Sequence, residues 1–200
     1  FQFRYSYANN NRRNEYLVED TSQNILKTVE PNSLILAYGD AINGPLLYFK
    51  SIGEWPDIII VSTSLLEYDW YIRNMARTYP DIIEQDLLNS DNIYNKVSTI
   101  IAKNISQRPV YIIFNDNSGT LAKNFDIIPQ GLLNRVIAKG TPNSGDLLLA
   151  NDKIWSSYNL RDLKHNIGEG TYKSAMLDAL GAYYGSSLYS LAATYYVNGF

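Results

Sequence analysis

Cysteine is absent from all 200 residues, which excludes a disulfide framework, a thiol nucleophile, a thiolate zinc site and an iron–sulfur cluster. The same absence leaves the compartment open. Histidine occurs once, at His165. A catalytic triad or histidine metal centre would need it, and no nucleophile elbow or second ligand accompanies it. We therefore expect a surface histidine, no catalytic residue, no metal and no cofactor. Basic residues number 17 against 20 acidic ones, a formal net charge of −3. No basic stripe exists to release phosphate counterions, so nucleic acid is excluded as a partner. Long apolar runs are missing too: Asp57-Ile58-Ile59-Ile60-Val61 has the length of a strand, not of a membrane span. The start has no signal-peptide character, because Phe1-Gln2-Phe3-Arg4-Tyr5 leads to the polar run Asn9 to Arg13. It also lacks an initiator methionine, and we expect the chain to be part of a longer protein.

What is abundant is tyrosine, with 17 residues. Two readings stay open: a stacking surface for sugars or peptides, or half-exposed rings at the edge of a core. A chain of this length buries roughly 70% of the surface its unfolded form exposes, enough for a full core.

The apolar pattern alternates between helical and strand-like periods. Val18, Thr21, Ile25 and Val29 share a helical face between about residues 14 and 30, closed by Pro31. A continuous apolar run from Ser33 to Tyr38 reads as a buried parallel strand ended by Gly39-Asp40. Pro45 is expected to open a helix that stops at Gly53. A second strand is expected over 57–63, a helix capped by Ser64 to about Tyr79, and another from Ser90 or Asp91 to about Ser106. A third strand follows over 110–114, a turn-rich loop over 115–119, and an edge strand over 132–138. These elements predict an α/β fold, a three-layer sandwich with a mostly parallel sheet, over residues 1–140 in a Rossmann-like arrangement. After the linker Thr141 to Asp146, residues 141–200 should form a helical extension. From Tyr172 its period suits a helical hairpin broken near Gly185, with a faint likeness to one tetratricopeptide unit.

Ligands of open α/β sheets sit at the carboxyl ends of strands. Those ends carry Gly39-Asp40, Thr63-Ser64 and Asn115-Asp116. Asp40 suits a hydroxyl-rich ligand or a cation, helped by Asn43, or else simply caps the next helix. Asp69 beside Trp70 and Tyr71 suits a carbohydrate or peptide subsite, or else the buried start of a helix. The turn Gly39 to Gly44 has neither dinucleotide spacing nor a P-loop lysine. Asn104-Ile105-Ser106 matches the glycosylation acceptor pattern, at a helix end where it carries little weight.

Several segments in order carry a family resemblance. They are Asn32 to Asp40, Pro45-Leu46-Leu47-Tyr48, Trp55 to Val61, Ser64 to Ile72, Arg108-Pro109-Val110-Tyr111 and Gln130-Gly131-Leu132-Leu133. Over residues 10 to 140 the chain resembles the soluble C-terminal part of large bacterial membrane proteins similar to protein O-mannosyltransferases. The resemblance implies a multi-spanning N-terminal part that holds the glycosyl-transfer chemistry on a lipid-linked donor. It further implies a location for this domain outside the cytoplasmic membrane. In that family Gly-Asp is followed by Asn-Asp-Thr-Phe-Pro, whereas here Ala41-Ile42-Asn43-Gly44-Pro45 follows. The second acidic residue is missing, which weakens a catalytic role for the turn at Asp40.

The expectation is a non-catalytic accessory domain that contacts an acceptor protein, a glycan or the membrane-spanning part of its own chain. Its binding residues would be Asp40, Asn43, Tyr48, Asp69, Trp70 and Asp116. The alternatives are a stand-alone sugar or small-molecule binder or enzyme using the strand-end crevice, and a scaffold acting through its C-terminal helices.

Overall fold

The structure is a computed structural model and describes residues 6–7, 15–90, 92–113, 119–142, 144–164 and 175–199. Its centre is a five-stranded sheet in the order β2-β1-β3-β5-β4. The strands are β1 (Leu34–Ala37), β2 (Ile59–Ser62), β3 (Val110–Ile113), β4 (Phe125–Gln130) and β5 (Leu133–Ala138). β1 pairs in parallel with both β2 and β3, and every residue of β1 and β3 is buried. Their unbroken apolar character reflects cover on both faces.

The expected mostly parallel sheet is a mixed one. β5 runs antiparallel to β3 and to β4, so the run Leu132 to Ala138 is not the edge. The edge on that side is β4, which was not expected. Its charged Asp126 and its Pro129 hide the strand pattern, and a proline is tolerated there because an outer strand need not donate on its free side.

Helices cover both faces. On one side Ile35, Ala37, Tyr111 and Ile113 pack with Ile25, Leu46 and Phe49, from α1 (Leu17–Thr28) and α2 (Asp40–Ser51). On the other, Leu34, Leu36, Val110 and Ile112 pack with Ile72, Met75, Val97 and Ile100, from α3 (Asp69–Thr78) and α4 (Ile93–Asn104). Each large side chain buried this way contributes about 1.5–3 kcal/mol.

Two helix starts differ from expectation. α2 begins at Asp40, and Pro45 lies inside it. Gly39, at φ 86°, turns the chain sharply out of β1, and the buried stripe Ile42, Leu46, Phe49 extends the helical face one turn ahead of the proline. The segment Thr63–Glu67 is a 3-10 turn, so Ser64 is not the cap of a long helix; α3 starts only at Asp69. At α4 the cap is Asn92, whose side chain accepts from the backbone N–H of Tyr94 at 2.8 Å; Asp91 lies outside the described residues. Asn104 is fully buried, and its amide donates to Ile82 and Ile100 carbonyls, which removes it as a glycosylation acceptor in the folded chain.

The rest of the chain forms α5 (Thr120–Asn124), α6 (Ser144–Leu149), α7 (Asn151–Ser156), α8 (Arg161–Lys164) and α9 (Ala175–Asn198). In place of a hairpin broken near Gly185, α9 runs unbroken for 24 residues. Gly185 is exposed in mid-helix, where a glycine costs stability without ending the helix. Only Leu177, Leu180, Tyr184 and Leu191 of α9 are buried, and the helix lies along α1, α2 and β4.

Distant segments are tied by polar contacts. The Asp162 carboxylate accepts from the backbone N–H of Tyr16 at 2.6 Å and of Leu17 at 2.7 Å, capping α1 from far along the chain. One residue earlier, the Arg161 guanidinium meets the buried Asp20 at 2.5 and 2.9 Å and lies 4.0 Å from the centre of the Tyr16 ring. Hydrogen bonding to Asp20, the first cause, holds the Arg161 pKa above its ordinary value.

Candidate functional site

The connections from β1 to β2 and from β2 to β3 use opposite faces of the sheet: α2 packs on one, α3 and α4 on the other. The carboxyl ends of β1 and β2, from which these connections depart, and Ile113 at the end of β3 border the position where open α/β sheets accept ligands. A cleft with a volume of about 610 Å³ occupies this place, within the usual range for small-molecule sites.

Its base is made by Tyr38 and Ile42, just after β1, and by Ile113 at the end of β3. One wall is the turn after β2, with Thr63, Ser64 and Glu67, continued by Tyr94 in the first turn of α4. The opposite wall is α9, which presents Tyr183, Ser186, Ser187 and Ser190. The β4–β5 hairpin closes the remaining side through Gly131, Leu132 and Asn134.

The walls are held from behind. Asn43 is buried, and its amide donates to the Ser62 hydroxyl at 3.0 Å and to the Ala37 carbonyl at 3.3 Å. Ser62 Oγ in turn lies 3.1 Å from Ser64 Oγ at the cleft surface. Thr63 Oγ1 also donates to Ala37, at 3.1 Å, so the ends of β1 and β2 are locked together. The Asn43 carbonyl oxygen is buried without a hydrogen-bond partner among the described residues.

The hairpin turn is clamped more tightly. The N–H of Gly131 donates to Asn151 Oδ1 at 2.7 Å, and that of Leu132 to the Tyr158 hydroxyl at 3.0 Å. Tyr158 also lies 2.7 Å from Thr28 Oγ1, and burial pushes its phenol up to about 12. The Tyr183 hydroxyl donates to the Leu132 carbonyl, which joins α9 to the turn. Burial raises the Tyr183 phenol well above the ordinary tyrosine range, so this group stays a neutral donor.

Of the described residues expected to form a site, only Asn43 connects to this cleft, and it does so from behind, through Ser62 and Ser64. Asp40 is exposed in the first turn of α2, and its side chain does not cap the helix. Tyr48 is exposed on α2, edge-on to Phe49. Asp69 and Trp70 begin α3 and are exposed, with Asp69 3.8 Å from Arg73. Trp70 meets the Tyr71 ring edge-on, and the Tyr71 hydroxyl accepts from the Ser62 N–H at 2.9 Å. Asp116 and His165 lie outside the described residues.

The sequence reading did not single out the α9 serines or Glu67. Their signal was present: Ser186, Ser187 and Ser190 stand at offsets of one and four, which places them together on a helical face. The cleft lining carries hydroxyls, an amide and one carboxylate, but no lysine or arginine among the described residues. Such a surface can hold a ligand by many hydrogen bonds and has no charge to offer an anion.

No helix among the described residues is long and apolar enough to cross a membrane, and no solved structure matches the chain. Residues 18–108, from α1 to the approach of β3, match the family described as TMEM260-associated domain 2. A stretch of 83 residues is 26% identical to the mouse (Mus musculus) protein called Protein O-mannosyl-transferase TMEM260. It covers 41% of this chain and 12% of that relative, so the chain matches only a small part of the relative's length. Both similarities support a link between this chain and O-mannosyltransferase-like proteins, and the family match covers the part of the fold that builds β1, β2 and the turn lining the cleft.

Proposed function

We propose that this chain is an accessory domain of a membrane glycosyltransferase-like protein, non-catalytic by itself, which contacts the acceptor protein or its glycan through the cleft at the strand ends. The observation that carries the reading is the coincidence of two facts. The segment similar to TMEM260-associated domain 2 supplies the β1 and β2 ends, and those ends form a hydroxyl-rich cleft with one carboxylate. The chemistry of transfer would then belong to other parts of the parent protein. In this reading the parent sits in a bacterial cytoplasmic membrane with this domain on its outer side, next to the membrane-spanning part of the same chain.

Fractionation of source cells with an antibody against this domain tests the reading. A membrane-bound band much larger than 22.7 kDa, the mass of this chain, is expected. A soluble band of 22.7 kDa would favour a stand-alone ligand binder acting through the same cleft.

A further inference from the structure

From the composition of the cleft walls we infer that this site takes an uncharged, polyhydroxylated ligand, a neutral saccharide, and discriminates against phosphorylated or otherwise anionic ones. This rests on the accessory-domain reading for its biological setting and names the ligand class of that same site.

Three features favour it. The first is the density of neutral groups that can both donate and accept. Ser190 and Asn134 line the cleft beside Ser64, Ser186 and Ser187, whose hydroxyls already pair with Ser62, the Tyr183 carbonyl and the Tyr183 hydroxyl and keep lone pairs that accept. Vicinal ring hydroxyls, each donor and acceptor at once, pair with such groups without a net charge on either side. The second is Glu67, an exposed carboxylate at the rim. A carboxylate accepts from two neighbouring hydroxyls and repels a phosphate. The N-terminus of α4, which could attract an anion, already has its Tyr94 N–H taken by Asn92. The third is aromatic surface at the same end of the sheet: Tyr38 lines the cleft with 61% of its surface exposed, offering a face for the apolar side of a sugar ring. The hairpin turn offers an extended peptide no free backbone group at Gly131 N–H or at Leu132, whose N–H and carbonyl are taken by Tyr158 and Tyr183 as the Gly131 N–H is by Asn151.

The test is an amide NMR titration of the chain with three probes: α-linked mannobiose, mannose 6-phosphate and an unglycosylated serine-rich peptide. The expected result is saturable millimolar binding of mannobiose, with shifts confined to Tyr38, residues 63–67, Asn134 and residues 186–190. Mannose 6-phosphate should bind about tenfold more weakly. Glu67→Gln should weaken mannobiose by about tenfold or more, the worth of a hydrogen bond to a charged group, and Tyr38→Ala by about three- to tenfold, the worth of one stacked ring face; both are changes at exposed positions and should leave the rest of the spectrum in place. Shifts elsewhere on the surface, equal binding of the phosphate, preference for the peptide, or no binding of mannobiose would each overturn the inference. Its failure is separable from that of the accessory-domain reading. Should mannobiose not bind while cleft variants still impair transfer by the parent protein, the saccharide assignment falls and the accessory role stands. Should it bind at the cleft in a chain that fractionates as a soluble 22.7 kDa protein, the saccharide site stands and the accessory role falls.

Discussion

Gly131→Ala should be among the most damaging single-methyl additions to this fold. Gly131 is the first of two residues joining β4 to β5 and has φ 61°, a conformation that costs an L-residue about 1–2 kcal/mol. A Cβ built there would stand 1.9 Å from the Tyr158 hydroxyl and 2.8 Å from Ile154 Cγ2. Tyr158 must therefore move, and it then leaves the N–H of Leu132 buried without its partner, a loss of about 1–3 kcal/mol. The sum is about 2–5 kcal/mol, a large part of the roughly 5–15 kcal/mol that holds a typical domain together. Urea unfolding followed by tryptophan fluorescence measures it directly, because the Trp155 ring centre lies 5.1 Å from that of Tyr158. The second arm is a double-mutant cycle. Tyr158→Phe removes the clashing oxygen, so the double variant should be less destabilised than the two single changes added together. A Gly131→Ala protein within about 1 kcal/mol of the parent, or strict additivity in the cycle, would refute the reasoning.

Three further outcomes follow from named contacts. Asp162→Ala removes the acceptor for two N–H groups at the start of α1 and should lower stability by about 1–2 kcal/mol, with Asp162→Asn retaining much of it; chemical denaturation checks both. Asn43→Ala should cost about 1–3 kcal/mol by thermal or urea unfolding and shift the NMR signals of Ser62 and Ser64, since it breaks the bridge between the β1 and β2 ends. Alkali should destabilise the protein through Tyr158. Burial raises its pKa from 10.0 to about 12, so the unfolded chain loses this proton first. The stabilisation is complete below about pH 10 and is lost as the pH climbs toward 12, by about 2–3 kcal/mol, and Tyr158→Phe should flatten that decline in a series of unfolding curves.

Much of the central sheet is legible in the amino-acid sequence because its chemistry is local. β1, β2 and β3 are unbroken apolar runs bounded by glycine, proline or polar turns, and nothing except burial on both faces explains such runs. β4 is not legible in that way: Asp126 faces Lys139 and Gly140 at the sheet edge, and Pro129 looks like a strand breaker until its position on the outer strand is known. The start of α2 fails for a related reason, since the proline signal at Pro45 points to a helix start while the earlier turn at Gly39 decides it. Asn43 was found as a polar residue near a strand end, although its role is to brace the wall and not to form it. The α9 wall depends on a contact between residues some fifty positions apart, Tyr183 on Leu132. The helical period of α9 includes Leu180, Tyr184 and Leu191, which are buried, but also Met176 and Leu188, which are exposed, and it does not announce which element the buried face meets.

The claim that the strand-end cleft serves glycosyl transfer by a larger protein is tested most directly by filling it. Ser187→Trp places a large ring on the α9 wall of the cleft. In the full-length parent protein, isolated in its membrane with an unchanged expression level, this variant should lower transfer to the acceptor by about tenfold or more. Transfer at the parental rate with the cleft filled would contradict the account.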